Sequence, residues 1–154
     1  MSIWHDPPTP AELNRMHAGT LNEQLGIEIL ELTDTAISGR MPVDRRTTQP
    51  AGVLHGGASV AFAESLASWG GYLTVDREQF HVVGQEINAN HVRPAPAGEE
   101  VYGVATPLAR GRRSQVWDIR ITNAEGKLIC VSRCTLAIID ARPAPTETGG
   151  AVSA

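Results

Sequence analysis

Residues 56–73 read GGASVAFAESLASWGGYL, an apolar stretch long enough for five turns of helix, with the single carboxylate of Glu64 at its centre. A helix that is apolar on most of its faces is a buried helix. Burying a charged carboxylate without a partner costs on the order of several kcal/mol, or forces its pKa upward. A carboxylate held in that way is what a general base or a nucleophile requires.

The chain on either side of this helix divides into recognisable pieces. Toward the N-terminus, AELNRMHAGTLNEQL (11–25) has helical propensity and predicts a short helix followed by a turn. GIEILEL (26–32) and TAISGRMP (35–42) are then candidate strands about the polar turn Thr33-Asp34, and DRRTTQPAGVLHGG (44–57) is the loop that feeds the helix. Beyond the helix, VVGQEINANHV (82–92), EEVYGVATPLAR (99–110), SQVWDIRIT (114–122) and LICVSRCTLAIID (128–140) read as strands, separated by the turn-like RPAPAG, GRR and NAEGK. Trp117, Ile119 and Ile121 alternate with Asp118 and Arg120, the period of a half-buried antiparallel strand. One long buried helix against about five or six antiparallel strands is an α+β domain whose sheet wraps a helix. Proline, glycine and small residues dominate 1–10 and 141–154, so both ends read as tails around a domain at 11–140, the second of them flexible.

Composition sets the chemistry this domain can serve. At 154 residues, 42% hydrophobic and 19% charged, the chain suits one compact domain. A net charge of −4 argues against a general nucleic-acid binder, so any anion site must be local. Cys130 and Cys134 have neither the number of a disulfide framework nor the spacing of a zinc site, and read as core residues on one face of a strand. No leader pattern and no membrane-length apolar run is visible, which makes a cytoplasmic location the default expectation.

His55-Gly56-Gly57 lies where the helix begins and where its first N–H groups lack intrahelical partners. With no side chain at Gly56, a substrate carbonyl can approach the backbone, and the N–H can stabilise an oxyanion as it forms. The same glycines also serve a simpler purpose, relief of a tight junction. Gly56 and Glu64 are eight residues apart on one helix, roughly 12 Å along its axis, too far for one reacting carbon to meet both. If both serve one site, a second, antiparallel copy of the helix must bring its Glu64 near this Gly56. That predicts a two-fold dimer with two equivalent sites. Ser68 lies one turn beyond Glu64 on the same face, placed to hold the carboxylate or a water, or simply to pack.

TTQPAGVLHGGASVAFAESLASWGGYL, VVGQEINANHVRPAPAGEEV and GRRSQVWDIRI together resemble the hotdog-fold acyl-CoA thioesterases, over about residues 12–140. The branch is the one that contains 1,4-dihydroxy-2-naphthoyl-CoA hydrolase, proofreading enzymes that act on aryl carrier proteins, and the Arthrobacter type of 4-hydroxybenzoyl-CoA thioesterase. The resemblance implies a hotdog fold, Glu64 as catalytic carboxylate and the Gly56 N–H as the group that polarises the thioester carbonyl. It implies that Gln49 contacts the carbonyl or a nucleophilic water, that His55 stands beside the oxyanion site, and that Ser68 helps to place the attacking group. His91 would reach the acyl pocket. The assembly implied is a homotetramer, a dimer of dimers with sites across the dimer interface.

These roles suit thioester hydrolysis. Thiolate leaves readily, so a carboxylate and an oxyanion hole suffice, and neither a metal nor a cofactor is expected beyond the coenzyme A of the substrate. Glu64 either deprotonates water or attacks the carbonyl to form an anhydride. Arg110, Gly111, Arg112, Arg113 and Ser114 fall at a turn between strands and offer guanidinium, hydroxyl and N–H groups to the phosphates of coenzyme A; Arg93, Arg45 and Arg46 are weaker candidates. A bulky or aromatic acyl group is expected from the likeness, with Val60, Trp69 and Tyr72 shaping the pocket; Trp69 stands where relatives often have a smaller residue.

Phosphate-loop, dinucleotide-binding, nucleophile-elbow and zinc-protease motifs are absent. Three other readings compete. The substrate is a carrier-protein thioester, or the chain is a dehydratase, whose Pro-Gly-His-Phe-Pro pattern is absent, or it is a catalytically silent acyl-CoA binding module, against which Glu64 counts. Neither nucleic acid nor membrane is expected as a partner.

Overall fold

The computed structural model describes residues 1–141; the expected C-terminal tail, apart from Ala141, lies outside them. Six strands form one antiparallel sheet in the order β1-β2-β4-β5-β6-β3, with β1 Glu28–Leu32, β2 Ile37–Pro42, β3 Phe80–His91, β4 Glu100–Arg110, β5 Ser114–Asn123 and β6 Leu128–Asp140. The helix at 56–73 is α3, Gly56–Leu73, and lies against β2, β3, β4, β5 and β6. This is the hotdog arrangement expected from the sequence. The single N-terminal helix expected there is two, α1 Pro10–Arg15 and α2 Leu21–Leu25. Thr9 and Glu12 form a capping box on α1, and Gly26 ends α2 at a φ of 70°.

The sheet curves because four of its ladders are interrupted by register shifts, at Ile29/Glu31, Gly84/Glu86, Pro107/Ala109 and Ile121/Thr122. The inner face is bare where the helix presses hardest. Gly39 and Gly103 are cross-strand partners; a Cβ at Gly103 would run into Leu66 and Phe62, and one at Gly39 into the Glu28 carbonyl oxygen and Leu66. The two glycines thus form a trough for the helix's largest buried side chains.

Only one face of α3 is buried. Phe62, Ala63, Leu66, Ala67 and Leu73 are fully buried against the sheet, whereas Ala61, Glu64, Ser65, Ser68, Trp69 and Tyr72 on the opposite face are half-exposed. The expectation of a helix buried all round is corrected accordingly, since the sheet wraps the helix on one side. Trp117, Ile119 and Ile121 of β5 are fully buried, as their alternation predicts, and so are Cys130 and Cys134.

The first ten residues, expected as a tail, dock on the domain. Trp4 stacks on Trp117 with ring centroids 6.3 Å apart and donates its indole N–H to the Thr33 carbonyl. Ile3 N–H donates to Asp34 and His5 N–H to Leu73, which ties this segment to the β1–β2 turn and to the end of α3. Proline content signalled a tail, but Trp4 carries enough apolar area to outweigh it.

Gly70 faces the rigid indole of Trp117, with three ring atoms between 2.7 and 3.1 Å from where a Cβ would stand. Trp117 has no room to yield, because it is fully buried and its Nε1–H donates to Gln115. Gly70→Ala is therefore expected to lower stability by about 1–3 kcal/mol through overpacking, more than the ~1 kcal/mol that alanine adds in helix propensity. A urea midpoint equal to or above that of the wild type would overturn this.

Candidate active site

The N-terminus of α3 is capped by its own histidine. His55 has extended backbone angles, and its Nδ1 accepts the Gly57 N–H at 2.8 Å. Among the described residues no acceptor takes the Gly56 N–H, so the first amide of the helix stays available for a ligand oxygen. This gives His55 a structural duty beside the oxyanion candidate, with an orienting effect on the loop.

Gln49, Gly56 and His91 line one cavity of about 330 Å³, together with Ser59, Arg93 and Ile129. A Cβ on Gly56 would stand 2.8 Å from His91 Nε2, so the missing side chain is what lets the imidazole of β3's last residue lie against the helix start. The Gln49 Oε1 accepts the Ala51 N–H at 2.8 Å, which fixes the side chain on its loop. Of the weaker arginine candidates, Arg93 lines this cavity, whereas Arg46 is paired with Asp44 at 2.6 Å and Arg45 is exposed.

Glu64 and Ser68 line a different cavity, of about 490 Å³, with walls from Trp69, Tyr72, Val82, Met16 and Leu21. Glu64 is half-exposed there, which corrects the expectation of a carboxylate buried within one chain. The space it needs comes from the sheet, since a Cβ on Gly84 would meet its Oε1 at 2.6 Å. Gly84 is also where β3 shifts register. A glycine inside a strand pattern signals a bulge or a close approach, and it was the readable trace of this contact.

The walls from Met16, Leu21 and Asn22 escaped the sequence reading. Asn22 Oδ1 lies 2.8 Å from the Ser65 hydroxyl, joining α2 to α3. Nothing local marks Met16 or Leu21 beyond their being large, apolar and exposed.

The five residues 110–114 form the β4–β5 turn and line neither cavity. All five are exposed, but four are partly engaged. The Gly111 N–H donates to the Ser114 carbonyl at 2.8 Å, Arg113 pairs with Asp140 at 2.9 Å, and Arg110 reaches the Ile3 carbonyl. Among the described residues Arg112 has no ion-pair partner.

Cysteine chemistry is disfavoured next to Glu64. Burial pushes the Cys134 thiol up to about 12, with the Glu64 and Glu86 charges adding to it, and burial also raises Cys130. Both stay protonated near neutrality and are poor nucleophiles. The carboxylate of Glu64 is left as the candidate nucleophile or base in the lining of this cavity. Among the described residues no group of three metal-binding side chains occurs, and no helix is long and apolar enough to cross a membrane.

The thioesterase superfamily model matches residues 51–130, which include every candidate site residue except Gln49 and the weaker candidates Arg45 and Arg46. The chain is 50% identical over 137 residues to the 1,4-dihydroxy-2-naphthoyl-CoA hydrolase of Escherichia coli K12, covering 89% of this chain and 99% of that one. It is 48% identical over 137 residues to the proofreading thioesterase EntH of Cronobacter turicensis, covering 89% and 98%. The crystal structure of a mutant thioesterase from Pseudomonas aeruginosa matches with a TM-score of 0.88 at 42% identity, over 91% of this chain and all of that one.

Proposed function

The chain belongs to the thioesterase superfamily, and from that premise we propose that it hydrolyses acyl-CoA thioesters at sites shared between two copies of α3. One observation carries the reading. Glu64 in its apolar cavity and the untaken Gly56 N–H beside Gln49 and His91 belong to separate cavities of one protomer. Each cavity holds half of what the reaction needs.

The copy that completes the site has a place to dock. Among the described residues β3 is a twelve-residue edge strand hydrogen-bonded only to β6, and it borders the half-exposed face of α3. Such an edge favours pairing with another strand. Two-fold pairing along β3 runs the two α3 helices antiparallel and sets the second copy's Glu64 toward this Gly56. Two such dimers would make the tetramer that the family resemblance implies.

In that site the thioester carbonyl oxygen accepts from the Gly56 N–H, and Gln49 and His91 bound the reacting carbon. Glu64 removes a proton from water as the water oxygen adds to the carbon, or adds to it directly and is released by water. In the first case the tetrahedral intermediate then expels thiolate, which takes up the proton from Glu64; in the second, thiolate leaves as the anhydride forms and takes up the proton of the water that opens it, and either way acid and coenzyme A result. No step calls for a metal or cofactor. Trp69, Tyr72 and Val82 make the acyl cavity wide and apolar, which favours aromatic or other bulky acyl groups.

Free-thiol release across benzoyl, hydroxybenzoyl, dihydroxynaphthoyl and straight-chain acyl-CoAs tests the reading. Faster release from the aryl esters is expected. Release from carrier-protein thioesters with none from any CoA ester would move the substrate to the carrier, as the similarity to a proofreading thioesterase allows. For the nucleotide end, Arg112→Ala with Arg113→Ala is expected to raise KM about fivefold for CoA thioesters and little for the pantetheine thioester of the same acid. Equal effects on both substrates would return this turn to ordinary surface.

A further inference from the structure

His17, just beyond α1, is 4% exposed and has no part in the chemistry above. Both of its ring nitrogens are engaged. Nδ1 lies 3.0 Å from the Ile27 carbonyl oxygen, which can only accept, and Nε2 lies 3.0 Å from Trp69 Nε1, whose N–H can only donate. These partners dictate a neutral imidazole that carries its proton on Nδ1.

Trp69 is held on its other side as well. Its ring meets Tyr72 edge-on, 5.7 Å between centroids at 73°, and Arg77 lies over Tyr72 at 5.5 Å while donating to the His5 and Asp6 carbonyls. The indole is thereby clamped between a buried histidine and an anchored tyrosine. Its single polar atom is directed to His17, so the wall it gives the Glu64 cavity is carbon.

The orientation has a chemical consequence. An indole N–H that faced the cavity would donate to a hydroxyl oxygen on the acyl group. Turned to His17, it offers nothing to such a hydroxyl, which loses water on entry and gains no partner.

We propose that His17 is a specificity-determining positioning residue: by accepting the Trp69 N–H it keeps this wall apolar and biases the cavity toward unsubstituted acyl groups over hydroxylated ones. The inference rests on the cavity being the acyl site proposed above. His17 itself touches no substrate and acts through Trp69.

The test compares benzoyl-CoA with the 2-, 3- and 4-hydroxybenzoyl-CoAs in His17→Asn and His17→Gln, each with and without Trp69→Phe. Asparagine keeps an N–H for Ile27 but is too short for Trp69, whereas the glutamine carbonyl reaches it. His17→Asn is expected to raise the hydroxylated-to-plain ratio of kcat/KM about fivefold for at least one isomer, the worth of one hydrogen bond. His17→Gln is expected to restore the wild-type ratio, and in the Trp69→Phe background neither change should move it. The emission attributable to Trp69 should shift in His17→Asn and recover in His17→Gln.

A ratio that stays within about twofold in folded His17→Asn, or that rises as much without Trp69, overturns the proposal. If His17→Asn does not fold, Trp69→Phe alone decides. The N–H being already withheld, its loss should leave the ratio unchanged, and a fall in the ratio would overturn the proposal.

Calorimetry with phenacyl-CoA and its hydroxylated forms, which lack a scissile thioester, separates the two readings. A wild type that hydrolyses nothing but binds these with the same His17 dependence loses the hydrolase reading and keeps the proposal. Hydrolysis with a ratio indifferent to His17 does the reverse. Analogues that do not bind the wild type overturn the proposal.

Discussion

Glu64→Gln is expected to lower kcat about a thousandfold for every accepted thioester while leaving KM, the unfolding midpoint and the oligomeric state those of the wild type. The amide has the shape of the carboxylate but neither accepts a proton from water nor forms an anhydride, so both forms of the mechanism fail together. Stability should hold for reasons visible around the side chain. Glu64 is half-exposed, it has no ion-pair partner among the described residues, and its slot over Gly84 admits an amide as readily as an acid. Glutamine is also nearly as good a helix former as glutamate. Turnover within tenfold of the wild type would remove Glu64 from the chemistry. Lost turnover with a lowered midpoint would instead assign it a structural role.

Mixing two dead variants is expected to restore activity. Gly56→Ala puts a Cβ 2.8 Å from His91 Nε2 and 3.2 Å from two of its carbons, which displaces the imidazole and crowds the approach to the N–H. Paired with Glu64→Gln, it distributes the two defects over different protomers. A mixed dimer then carries both defects in one of its sites and none in the other. Equal mixing with free exchange makes half of the dimers mixed, so about a quarter of wild-type activity should return. Gln49→Ala in place of Gly56→Ala should complement in the same way. If each site lay within one chain, the mixture would show only the sum of its parts.

The candidate residues of the two cavities were legible because each depends on its neighbours in sequence. An apolar helical stretch with one carboxylate, two glycines at its start and a histidine before them are local signals. They led to Glu64, Gly56 and His55 as candidates and, through spacing, to the expectation of a second copy if Glu64 and Gly56 serve one site. Cavity walls carry no such signal. Met16 and Leu21 line the cavity of Glu64 because the chain from the end of α1 through α2 packs against α3, and their own sequence reads only as a weak helix.

The strands were legible for a related reason. Alternation about Trp117 requires one buried face whatever that face is packed against, and the glycine pair at 56–57 marks a helix start in any surroundings. These are properties of a few consecutive residues. The sheet order, which sends β3 to the edge beside β6 and leaves its other side unpaired among the described residues, is not such a property, and neither is the hydrogen bond between His17 and Trp69, 52 residues apart. Both follow from how whole elements settle against one another. That packing depends on side chains far apart in the chain, and it brought Trp4 onto Trp117, opened one face of α3 to a cavity and left the carboxylate half-exposed within it.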